Sequence, residues 1–225
     1  MRLSIAVSLA LAAAPAWAAP LVYSTRADFR AASGPVVTER FSKCTAVTTA
    51  FTGPLNAGTD IGACAAGDIL PGITFVDDPG PDGLAMYLAA PFHASNRSTA
   101  LGQNNPASDA LNLTFEAPVG AVGFNLYQNF GGGSQLGDVE VFTVSIFGAS
   151  DALIGSYDVG VPAGRAAFFG IVDPDAAILK VAVNNPFAFD LVDNVSFSGA
   201  DPAPAPPMLA LFGLGALALG CRRRR

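Results

Sequence analysis

The chain has one histidine, His93, set in the polar loop from Pro91 to Asn96. Nucleophilic catalysis needs a base beside an activated serine or cysteine, and no Gly-x-Ser-x-Gly turn accompanies His93. Zinc recruits several imidazole or thiolate ligands, which this sequence does not supply. No catalytic residue is therefore assigned. Acidic residues are plentiful, and two of them facing each other across a cleft would suit glycoside hydrolysis. The stretch Asp77-Asp78-Pro79-Gly80-Pro81-Asp82-Gly83 gathers carboxylates in turn-forming sequence, as calcium prefers. A helix-loop-helix calcium site counted from Asp78 would want glutamate where Ala89 stands.

Binding is the other chemistry the residues offer. Saccharides lie on exposed aromatic rings, and Tyr87, Phe92, Tyr127, Phe130 and Tyr157 stand near Asn and Gln. The expected rim is the stretch 125–134, where Tyr127, Asn129 and Phe130 lead into a glycine loop. The competing use of these rings is to fill a core, and at 9% aromatic the chain has no excess of them. Ice binding would call for regular Thr-x-Thr arrays, which are absent.

The elements that must position these residues read as strands. Apolar and alternating runs at 113–115, 119–127, 139–147, 153–159, 166–172, 178–183 and 191–197 are separated by Gly, Pro, Asn and Asp. That spacing predicts an antiparallel β-sandwich or barrel. In the run Val139 to Phe147, Phe142, Val144 and Ile146 form the better inward set, with Val141 and Phe147 suggesting burial on the second face as well. A strand is expected at Arg40-Phe41, and one short helix over Asp28–Ala32 with Ser24-Thr25 as its N-cap. No other stretch holds helical periodicity for three turns.

The two ends are of different composition. Met1-Arg2-Leu3, an apolar run from Ile5 to Ala14, and small residues at Ala16, Ala18 and Ala19 give the three parts of a secretory signal peptide, residues 1–18, cleaved by signal peptidase after Ala18. The body, residues 19–201, is long enough for one domain. All 18 acidic residues fall inside it, whereas Arg2 and Arg222 to Arg225 take five of the 12 basic ones, so the body carries −11. Such a charge repels phosphate backbones and excludes nucleic acid as a partner. Export exposes Cys44 and Cys64 to an oxidising compartment, where an isolated pair forms a disulfide.

Beyond the body, residues 202–225 run from a proline-rich linker into an apolar segment, 208–221, and end on four arginines, Arg222, Arg223, Arg224 and Arg225. A 14-residue apolar helix is short for a bilayer, and the arginines would hold its end on the cytoplasmic side. The proline motif, the Phe-Gly-Leu-Gly helix and the arginine cluster resemble the bacterial PEP-CTERM protein-sorting signal, also labelled an ice-binding protein C-terminal domain. That likeness implies a Gram-negative exporter, transient anchoring in the inner membrane by the transmembrane helix 208–221, processing by an exosortase-type enzyme, and delivery to the cell surface or extracellular polysaccharide. The family's Pro-Glu-Pro is here Pro204-Ala205-Pro206, without the glutamate.

Residues 72–75, 115–124, 168–171 and 189–197 resemble the jelly-roll and galactose-binding-like ectodomains found ahead of such signals. In jelly-roll carbohydrate modules a structural Ca²⁺ often ties the first and last strands, and by that resemblance Glu39, Asp190 and Asp193 would hold it. The expected protein is an exported, non-enzymatic, structural or adhesive sandwich that contacts polysaccharide. The alternative is a glycan-active enzyme on the same fold.

Overall fold

A computed structural model describes residues 19–45, 51–78, 84–88, 99–103, 110–128, 139–163, 165–185 and 190–199. Its strands are β1 (Leu21–Tyr23), β2 (Val37–Glu39), β3 (Ile73–Asp78), β4 (Leu84–Leu88), β5 (Thr99–Gln103), β6 (Ala110–Val119), β7 (Ala121–Gln128), β8 (Val139–Phe147), β9 (Leu153–Pro162), β10 (Ala167–Val172), β11 (Ile178–Asn184) and β12 (Asp190–Phe197). One helix, α1, spans Arg26–Ser33. The expected signal peptide, with Ala16 and Ala18, and the tail with Pro204, Ala205, Pro206 and Arg222 to Arg225, lie outside the described residues, as do His93, Asn129 and Phe130. Ala19 is the first residue described.

The strands form a sandwich of two antiparallel sheets. One runs β1-β10-β7-β12-β5-β4, with β2 pairing the second half of β12; the other runs β3-β6-β11-β8-β9. Period-two alternation decides what faces the space between them. In β8, Phe142, Val144 and Ile146 are fully buried while Val139 and Val141 are 61% and 52% exposed. The inward set is the expected one, but Val141 is not buried on the second face. Phe147 is half-buried on that outer side because the Lys180 ammonium lies 4.6 Å from its ring centre. Phe75, Leu113, Phe124, Leu126, Phe169, Val181 and Val183 complete the core from both sheets.

At Gly120 the chain passes from β6 in one sheet to β7 in the other. The Ser198 hydroxyl oxygen accepts the N–H of Gly120 and of Ala121, both at 3.0 Å, and Asp173 donates its N–H to the Gly120 carbonyl at 2.8 Å. These bonds satisfy backbone groups that neither sheet pairs at the corner.

The early strand ends just before the place expected for it. Glu39 ends β2, Arg40 is outside the strand, and Phe41 takes a positive φ of 51° that strand pairing does not allow. Phe41 is instead driven under the sheets, fully buried, with its ring 5.2 Å from that of Phe75. Between there and β3 the described residues, 42–45 and 51–72, form no strand of their own and bury Leu55, Ile69 and the disulfide Cys44–Cys64.

Helix α1 begins where the sequence places its cap. Thr25 has extended backbone, and its hydroxyl oxygen accepts the Asp28 N–H at 3.2 Å. The helix starts two residues earlier than expected, which brings Arg26 into its first turn.

Candidate binding groove

The two sheets do not close on each other at one side. There β9, the last strand of its sheet, faces β1 and β10 of the other, leaving a groove of about 720 Å³. Its lining residues include three partly exposed aromatics, Tyr23 from β1, Tyr157 from β9 and Phe168 from β10, together with Ser24, Ser156 and Asp158. A volume of some hundreds of Å³ with mainly apolar walls and a few polar groups is the ordinary form of a small-ligand site.

Each ring is held by a local arrangement. Tyr157 follows the inward parity of β9 and lies 5.8 Å from the ring of Phe169. It folds back along its own strand over Gly155, where an added Cβ would lie 2.5 Å from the tyrosine oxygen. Phe168 leans on Phe29 of α1 at 5.7 Å, and the Arg26 guanidinium sits 4.8 Å above its ring. Ser156 and Asp158 point to the outer side of β9 and pair across to β8. The Ser156 and Ser145 hydroxyls are 3.1 Å apart, and the Thr143 hydroxyl donates to Asp158 Oδ1 at 3.2 Å.

Arg26 organises the outer face next to the groove. Its Nη1 donates to Ser196 Oγ at 3.0 Å, and its Nη2 donates to Asn125 Oδ1 and to the Asn194 carbonyl, both at 3.1 Å. Desolvation lowers its pKa below the ordinary arginine value, Arg30 and Arg40 push the same way, and Asp193 and Tyr127 pull it back up. The register between β12 and β7 shifts between Asp193 and Ser196, and Asn194 sits there at φ 53°. This is a β-bulge, and it turns the Asn194 carbonyl toward the arginine. No pattern of hydrophobicity marks Arg26. The signal that was available is a lone arginine in the first turn of a helix, where the dipole disfavours a cation unless another group holds it.

Tyr127 is not at a rim. It is fully buried on the outer face of its sheet with Ala100 and Leu191, and accepts a hydrogen bond from Asn125 Nδ2 at 3.3 Å. Alternation explains this: Phe124 and Leu126 face the core, so Tyr127 faces away from it and is covered there. Of the expected aromatics whose side chains are described, Tyr157 lines the groove.

Of the residues expected to share a calcium ion, Glu39 and Asp193 lie on different faces of the sheet. Glu39 pairs with Val195, whose side chain is in the core, whereas Asp193 pairs with Asn125 on the outer face beside Arg26. Both Glu39 oxygens accept backbone N–H groups, from Phe41 at 2.6 Å and Leu70 at 2.7 Å. Asp193 is fully buried and accepts both the backbone N–H and the side-chain amide of Asn194, at 2.6 and 2.7 Å. Asp190 contributes the first residue of β12, opposite Gln128. Among the described residues no group of three or more His, Cys, Asp or Glu is placed to hold a metal ion. The cysteine expectation is met, since Cys44 and Cys64 are joined.

No family model matches the chain, and no curated protein matches it. Among solved structures it is similar to the K2 cleaved adhesin domain of Lys-gingipain, with a TM-score of 0.45 and 13% identity over 73% of this chain and 100% of that one. The K1 domain of Lys-gingipain from Porphyromonas gingivalis W83 gives 0.44 and 11% over 74% and 99%. The family 11 carbohydrate-binding module of the cellulase Lic26A-Cel5E of Clostridium thermocellum gives 0.30 and 8% over 58% and 89%. At these scores the function rests on the residues of the groove itself.

Proposed function

We propose that the chain is an exported, non-catalytic β-sandwich that binds extracellular polysaccharide in the groove between β9 and β10, in a structural or adhesive role at the cell surface. The observation that carries this is the groove's lining, which draws three partly exposed aromatic residues from three strands, with Ser24, Ser156 and Asp158 among the residues at its edge. Sugar rings present apolar C–H faces and a rim of hydroxyls, and such a wall answers both. Hydrolysis would need a second carboxylate about 5–9.5 Å from the first. Among the described residues lining the groove, Asp158 is the one acid. The buried acids Glu39, Asp173 and Asp193 are engaged in local hydrogen bonds, Asp173 accepting the N–H of Asp175 and Ala177.

Delivery by the signal peptide and the PEP-CTERM-like tail belongs to the same proposal. It is supported by the segment compositions and by the disulfide, a bond that persists in oxidising compartments. A glycan array probed with the full chain tests the binding. Retention of a defined set of saccharides is the expected result, and uniform failure to bind would refute it. Terminal mass spectrometry of the cell-associated protein tests the processing, with a mature N-terminus at Ala19 expected.

A further inference from the structure

We propose that the chain forms a two-fold dimer in which β9 of one copy pairs antiparallel with β9 of a second, joining two five-stranded sheets into one. β9 is the last strand of its sheet and, among the described strands, pairs with β8 alone. At ten residues it is long for an edge. The other edges are short or are met by the chain itself. β1 and β2 have three residues each. On β3, Phe75 exchanges backbone hydrogen bonds with Leu55 at 2.9 Å, and on β4, Leu84 does so with Phe51 at 2.8 and 2.9 Å. β9 has neither protection. Its one proline is its last residue, and its one charge, Asp158, is turned to the outer face and accepts from Thr143. A long edge of this kind is a template for another strand.

Apolar surface gathers on the same side. The large apolar side chains exposed among the described residues are Leu21, Val22, Val37, Val139, Val141 and Leu153, and all but Val37 lie on β1, β8 or β9. The residues of β9 select a register with a second copy. Centred on Tyr157, an antiparallel pair sets Ser156 of each copy opposite Asp158 of the other, a hydroxyl donor facing a carboxylate, twice by symmetry. Centred on Asp158 it would set two carboxylates face to face, and centred on Ser156 it would set Asp158 against Ile154. In the Tyr157 register Ile154 faces Gly160, which has no side chain. Leu153 then comes up to the exposed Val139 and Val141 across that glycine. A two-fold axis normal to the sheet keeps both second sheets on one side, so the two grooves open toward each other along the β9 pair. The dimer does not depend on what the groove binds.

Sedimentation velocity of the full chain over a range of concentrations, without glycan, tests the proposal. A reversible monomer–dimer equilibrium is expected. Ser156 is exposed, so substitutions there should leave the fold of each copy intact, which circular dichroism checks. Ser156→Asp sets like charges opposite at both pairs and should weaken the dimer about ten-fold. Ser156→Lys sets an ammonium opposite each Asp158 and should tighten it about three-fold. A chain that stays monomeric throughout would overturn the proposal. So would a dimer of the same strength in the parent and both variants, because the contact would then lie elsewhere, in the apolar segment 208–221 for instance. Growth into open-ended polymers would overturn it as well, since a two-fold pair leaves no edge to extend. None of these outcomes bears on whether the groove binds glycan.

Discussion

Gly123 and Gly170 face each other across the β7–β10 pair, and the Phe29 ring of α1 occupies the space where their side chains would stand. A Cβ on Gly170 would lie 2.7 Å from Phe29 Cδ2, and one on Gly123 would lie 3.0 Å from Phe29 Cε1 and 2.9 Å from Phe168 Cζ. The pair seats the helix, and through Phe168 it sets one wall of the groove.

Gly170→Ala should therefore destabilise the chain by about 1–3 kcal/mol, the usual cost of overpacking a filled site. For a domain of this size that is a fall in Tm of about 2–4 °C per kcal/mol. Gly199→Ala is the control, because a Cβ there meets nothing within 4 Å. Thermal unfolding of the two variants checks the contrast.

Glu39→Ala should cost about 1–3 kcal/mol per stranded group, because the N–H groups of Phe41 and Leu70 would both lose their acceptor at a nearly buried position. The carboxylate ties residue 41 to residue 70 and so closes the base of the irregular segment between β2 and β3. Denaturant titration of this variant with and without added Ca²⁺ should give the same midpoint in both, since the work is done by hydrogen bonds.

The disulfide closes the same segment at a sequence separation of 20. Replacing both Cys44 and Cys64 by Ser should lower stability by roughly 3 kcal/mol in the chain-entropy view. Combined with Glu39→Ala the losses should fall short of additive, because both act on one loop. Urea midpoints of the single, double and triple variants measure the shortfall.

Arg26→Lys keeps the charge but loses the planar fork that reaches Ser196, Asn125 and Asn194 together. It should cost about 1–3 kcal/mol, and its effect should be coupled to that of Asp193→Asn by roughly 0.5–3 kcal/mol. A double-mutant cycle on unfolding free energies checks both figures.

The sandwich was legible in the sequence because its central strands are long and alternate. β8 shows this most plainly, with Phe142, Val144 and Ile146 buried as their parity demands. The three-residue strands β1 and β2 give no such signal, and β2 was displaced in the reading because Phe41 looks like a strand residue while its backbone turns the other way. Of the candidate site, Tyr157 was named from composition alone. The groove was not, since it is made by the meeting of two sheet edges, β9 with β1 and β10, that are far apart in the chain. Tyr127 was misplaced because an alternating strand says which residues share a face, not what covers the outer one. Arg26 was missed because its partners, Asn125, Asn194 and Ser196, lie 99 to 170 residues away.

The central claim is that polysaccharide binds between β9 and β10. Backbone amide chemical-shift mapping during titration with a glycan retained on the array tests it most directly. Shifts should cluster at Tyr23, Ser24, Ser156 to Val159 and Ala167 to Phe169. Shifts confined to β3, β6 and β11, or to the Tyr127–Leu191 cluster, would contradict it.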